Sequence, residues 1–253
     1  MNNSLMYVVE AENFYKIPEH PIAYWCSANM FDVFANEKSL EHIAHPKKGL
    51  ATTDNNRFLR MWFEIENTKF GIGYKNASSA QASHSKWFPL NKGGEYRKWY
   101  SNSTYVVNWE NNGAEMKDAI IKRYNGGSYT KEIRSESYYF QNSITWSALT
   151  AGAPSFRFSN YGALFDSAGS SMFPDENVEY LMGFLNTKIV EIILAIINPT
   201  LNYGAGTIGC VPLIVEKNIK TDVESKAKEN ISLAKEDWDS FETSWDFKKH
   251  PLI

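Results

Sequence analysis

Twenty residues from Val178 to Ile197 form the most apolar run in the chain. Val178, Leu181, Met182, Leu185, Ile189, Ile192, Ile193 and Ile196 recur at helical spacing and make a stripe too wide for a solvent-facing helix. The length invites comparison with a membrane span, but Glu179, Asn186, Lys188 and Glu191 lie inside it, and charge at mid-membrane is expensive. The run therefore predicts one helix over 176–197, buried behind other structure, with no membrane as partner. Whatever covers it has to be large and apolar. With 15% aromatic residues, including 8 Trp, the chain of 253 residues has the material for such a core.

The material around the helix reads as β. Arg57–Ile65, Tyr105–Trp109, Tyr138–Trp146, Ser155–Phe158 and Ala163–Asp166 alternate apolar and polar side chains, with Gly93-Gly94, Asn112-Gly113, Gly126-Gly127, Gly152 and Gly162 at turn positions. Helices are predicted over Ala23–Ile43, closed by Pro46, over Glu115–Tyr124, and over Thr221–Asp239 with Thr221 or Asp222 as cap. A short strand is expected within residues 1–16 and another at Val211–Val215. The expected class is α+β: a twisted mixed or antiparallel sheet with a long buried helix packed behind it, flanked by helical segments.

Charge is distributed unevenly. The net charge is -3, yet residues 44–134 hold 15 basic and 8 acidic side chains, leaving 11 basic and 21 acidic elsewhere. Only the middle third offers a positive field, and its cations come in groups interleaved with aromatics: Lys47-Lys48, Arg57-Phe58-Leu59-Arg60, and Lys86 through Tyr100. Lysines neutralise phosphates, while Arg and Asn pair bidentately with base edges. The first candidate is the loop from Lys47 and Lys48 through Asn55, Asn56 and Arg57, with Asp54 and Asn55 alternatively forming only a turn. Lys86, Lys92, Arg97 and Lys98 come second, against the reading of a solvated hairpin. Arg157, between Phe156 and Phe158, is third, as a strand side chain facing a groove. Trp87, Trp99, Trp109 and Trp146 are expected in the core. The polar, glycine-bearing loops Gly71–Ser85 and Asn125–Arg134 are of the kind that follows a groove.

Catalytic patterns are weak. Gly204-Ala-Gly-Thr-Ile-Gly209 matches a dinucleotide-type glycine pattern, but it follows a predicted helix and leads into a predicted strand, the reverse of what places a helix N-terminus on an anion. His42 and His45 lack a cysteine nearby, Cys26 and Cys210 lack a histidine, and no Gly-x-Ser-x-Gly elbow appears. The start, lacking a basic region ahead of a long apolar one, is not that of a signal peptide, and the expected location is cytoplasmic.

Several stretches carry a resemblance: Pro21-Ile-Ala-Tyr-Trp25, Gly49-Leu-Ala-Thr-Thr-Asp-Asn-Asn-Arg-Phe-Leu-Arg60, Lys86 through Tyr100, Tyr105 through Gly113, Phe165-Asp-Ser-Ala-Gly169, Gly183-Phe-Leu-Asn-Thr-Lys188, Asn198-Pro-Thr-Leu-Asn202 and Lys235 through Phe247. They resemble the C-terminal half of the PglX family, the adenine-specific DNA methyltransferases of the BREX phage-defence system. The resemblance implies a target recognition domain over 46–216, adding Thr52 and Thr53 to the candidate DNA contacts. It also implies a strand and helical linker over 1–45 joining a catalytic domain, and the helical start of a further region over 217–253. In such domains a leucine-rich helix carrying a Leu-Asn-Ser/Thr-Lys turn, here Leu185 to Lys188, packs behind a twisted sheet whose loops enter the DNA groove. The family's Asn-Pro-Pro-Tyr/Phe motif, which grips a flipped adenine, is not matched by Asn198-Pro199-Thr200. The expectation is a chain that binds double-stranded DNA without methylating it, S-adenosylmethionine being held by a catalytic methyltransferase domain outside it and no cofactor by the chain itself. Other phage-defence subunits are further candidate partners. A protein-interaction module, or an aromatic-rich carbohydrate or peptide binder, is the alternative.

Overall fold

The computed structural model describes residues 7–250 and 252. In chain order the helices are α1 (Ala28–Asn36), α2 (Asn55–Phe58), α3 (Ala77–Ala82), α4 (Glu110–Arg123), α5 (Val178–Leu185), α6 (Lys188–Ile197), α7 (Ala205–Gly209) and α8 (Lys220–Asp239). The strands are β1 (Leu59–Met61), β2 (Trp87–Asn91), β3 (Tyr105–Asn108), β4 (Ser143–Trp146), β5 (Phe156–Ser159), β6 (Leu164–Phe165) and β7 (Ser171–Met172). The class is α+β, as the periodicities predict.

Two sheets divide the strands. The first runs β1-β3-β2-β6, antiparallel except for the parallel pairing of β2 with β6, where Leu90 lies opposite Leu164. The second is antiparallel, β5-β4-β7, with Ile144 opposite both Phe158 and Met172. Phe58, Phe88, Val107, Trp109, Met116, Ile120 and Phe140 make a core between the first sheet and α4. Ile144, Trp146, Phe156 and Met172 of the second sheet pack with Leu181, Leu185, Val190 and Ile193. Trp109 and Trp146 are core residues as expected, whereas Trp87 and Trp99 are only half-buried.

The apolar run is two helices rather than one. α5 and α6 meet at 72°, with the break at Asn186 and Thr187. Asn186 is the reason: its Nδ2 donates to Met182 O and Phe156 O, and its Oδ1 accepts from Phe156 N, so a polar side chain is pinned into the core at the point where the helix stops. Among the described residues no single helix is long and apolar enough to cross a membrane.

Several other elements are shorter than periodicity predicts. The predicted strand 57–65 shrinks to β1, because Asp54 caps a helical turn that takes Arg57 and Phe58, and Trp62–Glu64 is a 3-10 turn. The Ala23–Ile43 helix is α1 alone, opened by Ser27 accepting from Met30 N, and Leu40–His42 is a separate 3-10 turn. Of the strand expected within 1–16, residues 1–6 lie outside the described residues and Ala11–Lys16 is a 3-10 helix. Val211–Val215 makes only an isolated bridge, Pro212 to Ser39.

Segments before α1 and after α8 pack onto the centre. Ile17, Ala23 and Phe31 form a small core with Ile196. α8 lies along α5, with Val223 and Ala227 against Gly183. The tail then reaches the first sheet's side, where Trp62 Nε1 donates to Thr243 O and Phe70 meets Trp245 edge-on.

Candidate nucleic-acid interface

The segment 47–51 sutures the two sheets. Lys47 exchanges backbone hydrogen bonds with Ser171 of β7 in the second sheet, Leu50 N donates to Phe165 O of the first, Ser167 N donates to Leu50 O, and Ala51 N donates to Glu132 O. Gly49 sits so close to β6 that an added Cβ would stand 1.9 Å from Phe165 O, so only glycine permits this seam. Lys47, Lys48 and the loop through Arg57 are thereby fixed on rigid backbone.

Downstream of the seam, Thr52 hydroxyl donates to Asn55 Oδ1, and Asp54 caps α2 by accepting from Arg57 N at 3.1 Å. The turn reading of Asp54 and Asn55 thus holds for their acceptor atoms, while Asn55, Asn56 and Arg57 remain exposed at the surface. Thr52 is buried, its hydroxyl spent inside the protein, and Thr53 adopts φ 58° with its carbonyl accepting from Arg123. Lys92 arrives from the end of β2 and pairs with Asp166 at 2.9 Å. Asp166 also accepts from the N–H groups of Ala168 and Gly169, and burial raises its carboxyl pKa even with Lys92 opposing that shift. Thr52, Thr53, Asn55, Lys92, Asp166 and Ser167 line an open polar hollow of about 360 Å³.

The remaining candidates separate by what holds them. Arg57 forks onto Glu115, 2.8 Å from Nε and 2.7 Å from Nη2, and this hydrogen bonding holds the Glu115 carboxyl below the usual carboxylate range. Lys86 lies over Trp87, 3.9 Å from Glu110. Arg97 and Lys98 face the acidic part of the molecule. Arg97 stacks over Trp238 and pairs with Asp237 of α8, and Lys98 donates to Asn186 O at the end of α5 and stands 3.7 Å from Glu191. A cation at a helix C-terminus is stabilising, so Lys98 has a place in the fold instead of on a solvated hairpin.

Arg157 corrects the reading of a groove-facing strand residue. It is 1% exposed, and its guanidinium hydrogen-bonds only at 3.3–3.5 Å, to Ser147, Ser155 and Arg97 O. Its Nε has no partner, and desolvation lowers its pKa. Both backbone edges of this position are paired, with Thr145 of β4 and with Trp99, and its side chain is enclosed by Ser147, Ser155 and the Arg97 carbonyl. Placed so, it does not reach a duplex.

Three further cations, Arg123 with Lys131 and Arg134 of the loop 125–134, come to the same place. Arg123 at the end of α4 bonds to Thr53 O, Ser135 beside Arg134 donates to Lys48 O, and Lys131 adjoins Glu132, which accepts from Ala51. Among the described residues Lys47, Lys48, Arg123, Lys131 and Arg134 have no carboxylate within ion-pair distance, in contrast to Arg57, Lys86, Lys92, Arg97 and Lys98. Lys38, Arg60, Lys75, Lys188, Lys217, Lys248 and Lys249 likewise lack a carboxylate partner but lie on other segments, whereas Lys47, Lys48, Arg123, Lys131 and Arg134 lie on segments bonded to the seam. What could have revealed them is the shared basic stretch 44–134; only the fold shows that 123–134 returns to 48–53.

Gly204 caps α7, which comes after α6 with no strand between them among the described residues, so the segment does not build the strand-turn-helix that a dinucleotide's pyrophosphate requires. His45 Nε2 lies 3.1 Å from Asp175, and no group of three metal-ligating side chains converges among the described residues.

No protein-family model matches the chain. Over its whole length it is 35% identical, across 259 aligned residues, to the adenine-specific methyltransferase PglX of Lacticaseibacillus casei (strain Zhang), covering 21% of that protein. Over 95% of its length it is 35% identical to the adenine-specific methyltransferase BrxX of Escherichia coli O9:H4 (strain HS), covering 18% of it. The chain thus spans about a fifth of the length of these relatives.

Proposed function

We propose, from the premise that this chain is a relative of one segment of the PglX-type adenine-specific methyltransferases, that it recognises duplex DNA for methylation within a BREX-type phage-defence system. The observation that carries the reading is the seam. Unpaired Lys47, Lys48, Arg123, Lys131 and Arg134 gather beside exposed Asn55, Asn56 and Arg57 on a rigid, two-sheet support. Lysines on such a support neutralise phosphates and fix register, while Asn and Arg side chains read base edges. Thr53 and Lys92 sit at the hollow between them.

In this reading the methyl transfer and its S-adenosylmethionine belong to a catalytic domain in the part of the relatives that the chain does not span. The chain supplies target recognition and works in the cytoplasm. Arg97 and Lys98 contribute field more than contact, since carboxylates already hold them. Titrating a labelled duplex with the folded chain at two salt concentrations tests the proposal. Binding that weakens steeply with salt is expected; no binding at low salt overturns it.

A second reading has its own observation. Tyr15, Ile22, Tyr24 and Trp25 are each about half or more exposed near the start of the chain, and Tyr24 stacks edge-on against Trp25 at 5.0 Å. Exposed aromatic clusters mark protein-binding surfaces, which favours contact with another subunit or domain there. The two readings concern different faces and are compatible.

A further inference from the structure

On the other side of β2 from Lys92 lies a cavity of about 210 Å³, closed by the C-terminal tail. Its lining includes Asn91, Ser101, Ser159, Tyr161, Trp245 and Asp246. The volume is below the ~300 Å³ at which drug-sized ligand sites begin, so an occupant is a single small ring system.

The polar atoms in it are incompletely used. Ser101 is 7% exposed and its Oγ has no hydrogen-bond partner. Asn91 Nδ2 donates to Ser159 Oγ at 2.9 Å and Ser159 Oγ donates back to Asn91 Oδ1 at 3.2 Å, which leaves the carboxamide one N–H and one lone pair. Ser101 is also strained, at φ 142°, with Asn102 following at φ 62°. Strain of this kind persists where surrounding structure over-determines a position, commonly at ligand sites. A buried hydroxyl without a partner costs free energy until something supplies one.

Charge narrows the occupant. No lysine or arginine lines the cavity, and its one ionisable acid, Asp246, is paired with Lys235 at 3.0 Å. Lys75 stands over the Tyr161 ring, 5.3 Å from its centroid, so positive charge reaches the rim while none lines the interior. Tyr161 and Trp245, with Tyr100 and Phe158, give the cavity an aromatic lining suited to a flat ring, while Ser101 and Asn91 offer neutral donors and acceptors for its edge. A hexose would stack a C–H face on the aromatic side chains, but its hydroxyls outnumber the neutral partners that Ser101 and Asn91 supply.

We propose that this cavity binds a neutral heteroaromatic ring of the nucleobase class, flanked by Tyr161 and Trp245 and hydrogen-bonded at its edge by Ser101 and Asn91. The site is independent of the duplex-binding face and does not require it.

Free 2-aminopurine is the probe, because stacking on aromatic side chains quenches its fluorescence. Titration with the whole chain is expected to give saturable quenching that adenine displaces and that glucose and inorganic phosphate do not. Ser101→Ala removes a hydroxyl that has no partner to lose, so the fold is retained, and affinity is expected to fall about five- to tenfold. Tyr161→Ala, at an exposed rim position, is expected to remove most of the quenching. Absence of saturation with a Kd tighter than about 1 mM, equal quenching by both variants and the parent, or displacement by glucose as good as by adenine would each overturn the proposal. Duplex binding measured on the same samples is unaffected in either case, so failure here does not touch the recognition face.

Discussion

The carboxamide of Asn186 pairs with the backbone of Phe156 as a neighbouring strand would, accepting from its N–H and donating to its C=O, both at 3.1 Å. Through that one side chain the end of α5 is locked to the edge of β5. The same residue's carbonyl receives Lys98, so helix, strand and the 97–99 segment meet at one point.

Asn186→Leu leaves Phe156 N without a partner in a buried place. We predict a loss of about 2–3 kcal/mol of stability, read by urea denaturation with fold-change in midpoint and unaltered slope. Asn186→Asp, which keeps the acceptor and loses the donor, is expected to fall as far or further because it buries a charge. A change under about 0.5 kcal/mol, the scatter of surface substitutions, would contradict the lock.

Arg157→Met is expected to be neutral or to stabilise the protein by about 1–3 kcal/mol, since the buried guanidinium has no carboxylate partner and only long hydrogen bonds. Its duplex affinity is expected to match the parent's. Weakened DNA binding by a well-folded Arg157→Met chain would return this residue to the interface.

Glu115 holds the Arg57 fork against the protein. Glu115→Gln is expected to free the guanidinium and tighten duplex binding a few-fold, while Arg57→Ala weakens it and relaxes any base preference. The pair also sets a pH dependence. Glu115's folded pKa lies below its ordinary 4.5, so the unfolded chain takes up the proton first as pH falls. Its small, half-exposed contribution is fully present above about 4.5 and is lost as pH drops through the lower folded value. Acid titration of stability should show that component vanish in Glu115→Gln. An unchanged acid profile would place the pair's weight elsewhere.

Gly49→Ala changes no charge, yet its Cβ would meet Phe165 O at 1.9 Å. The seam would have to open, at a cost of about 1–3 kcal/mol, and the lysines on it would shift. Loss of both stability and duplex affinity is expected, measured by thermal unfolding and by anisotropy. Retained affinity would mean that the seam does not orient the contacts.

Much of this was legible beforehand. Helical spacing located the apolar helices, alternation located β3, β4 and β5, and the uneven charge located the stretch 44–134. What periodicity does not carry is a side chain's use of hydrogen bonds. Asn186 looks like one polar interruption in an apolar run, and its role depends on Phe156, thirty residues earlier. Arg157 looks like a strand cation flanked by apolar neighbours, and only the second sheet's packing turns it inward. Arg97 and Lys98 read as basic surface because the carboxylates that hold them, Asp237 and Glu191, come from distant helices. The gathering of Arg123, Lys131 and Arg134 at Lys48 and Thr53 is likewise tertiary.

The most direct measurement is the salt dependence of duplex affinity for three chains: the parent, a Lys47→Ala/Lys48→Ala double variant at the seam, and Lys226→Ala on the exposed face of α8. Loss of two phosphate contacts predicts that the log–log slope of the double variant is shallower by about 2, with Lys226→Ala indistinguishable from the parent. Equal effects from the seam and from α8, or no duplex binding at all by the folded parent at low salt, would contradict the recognition face described above.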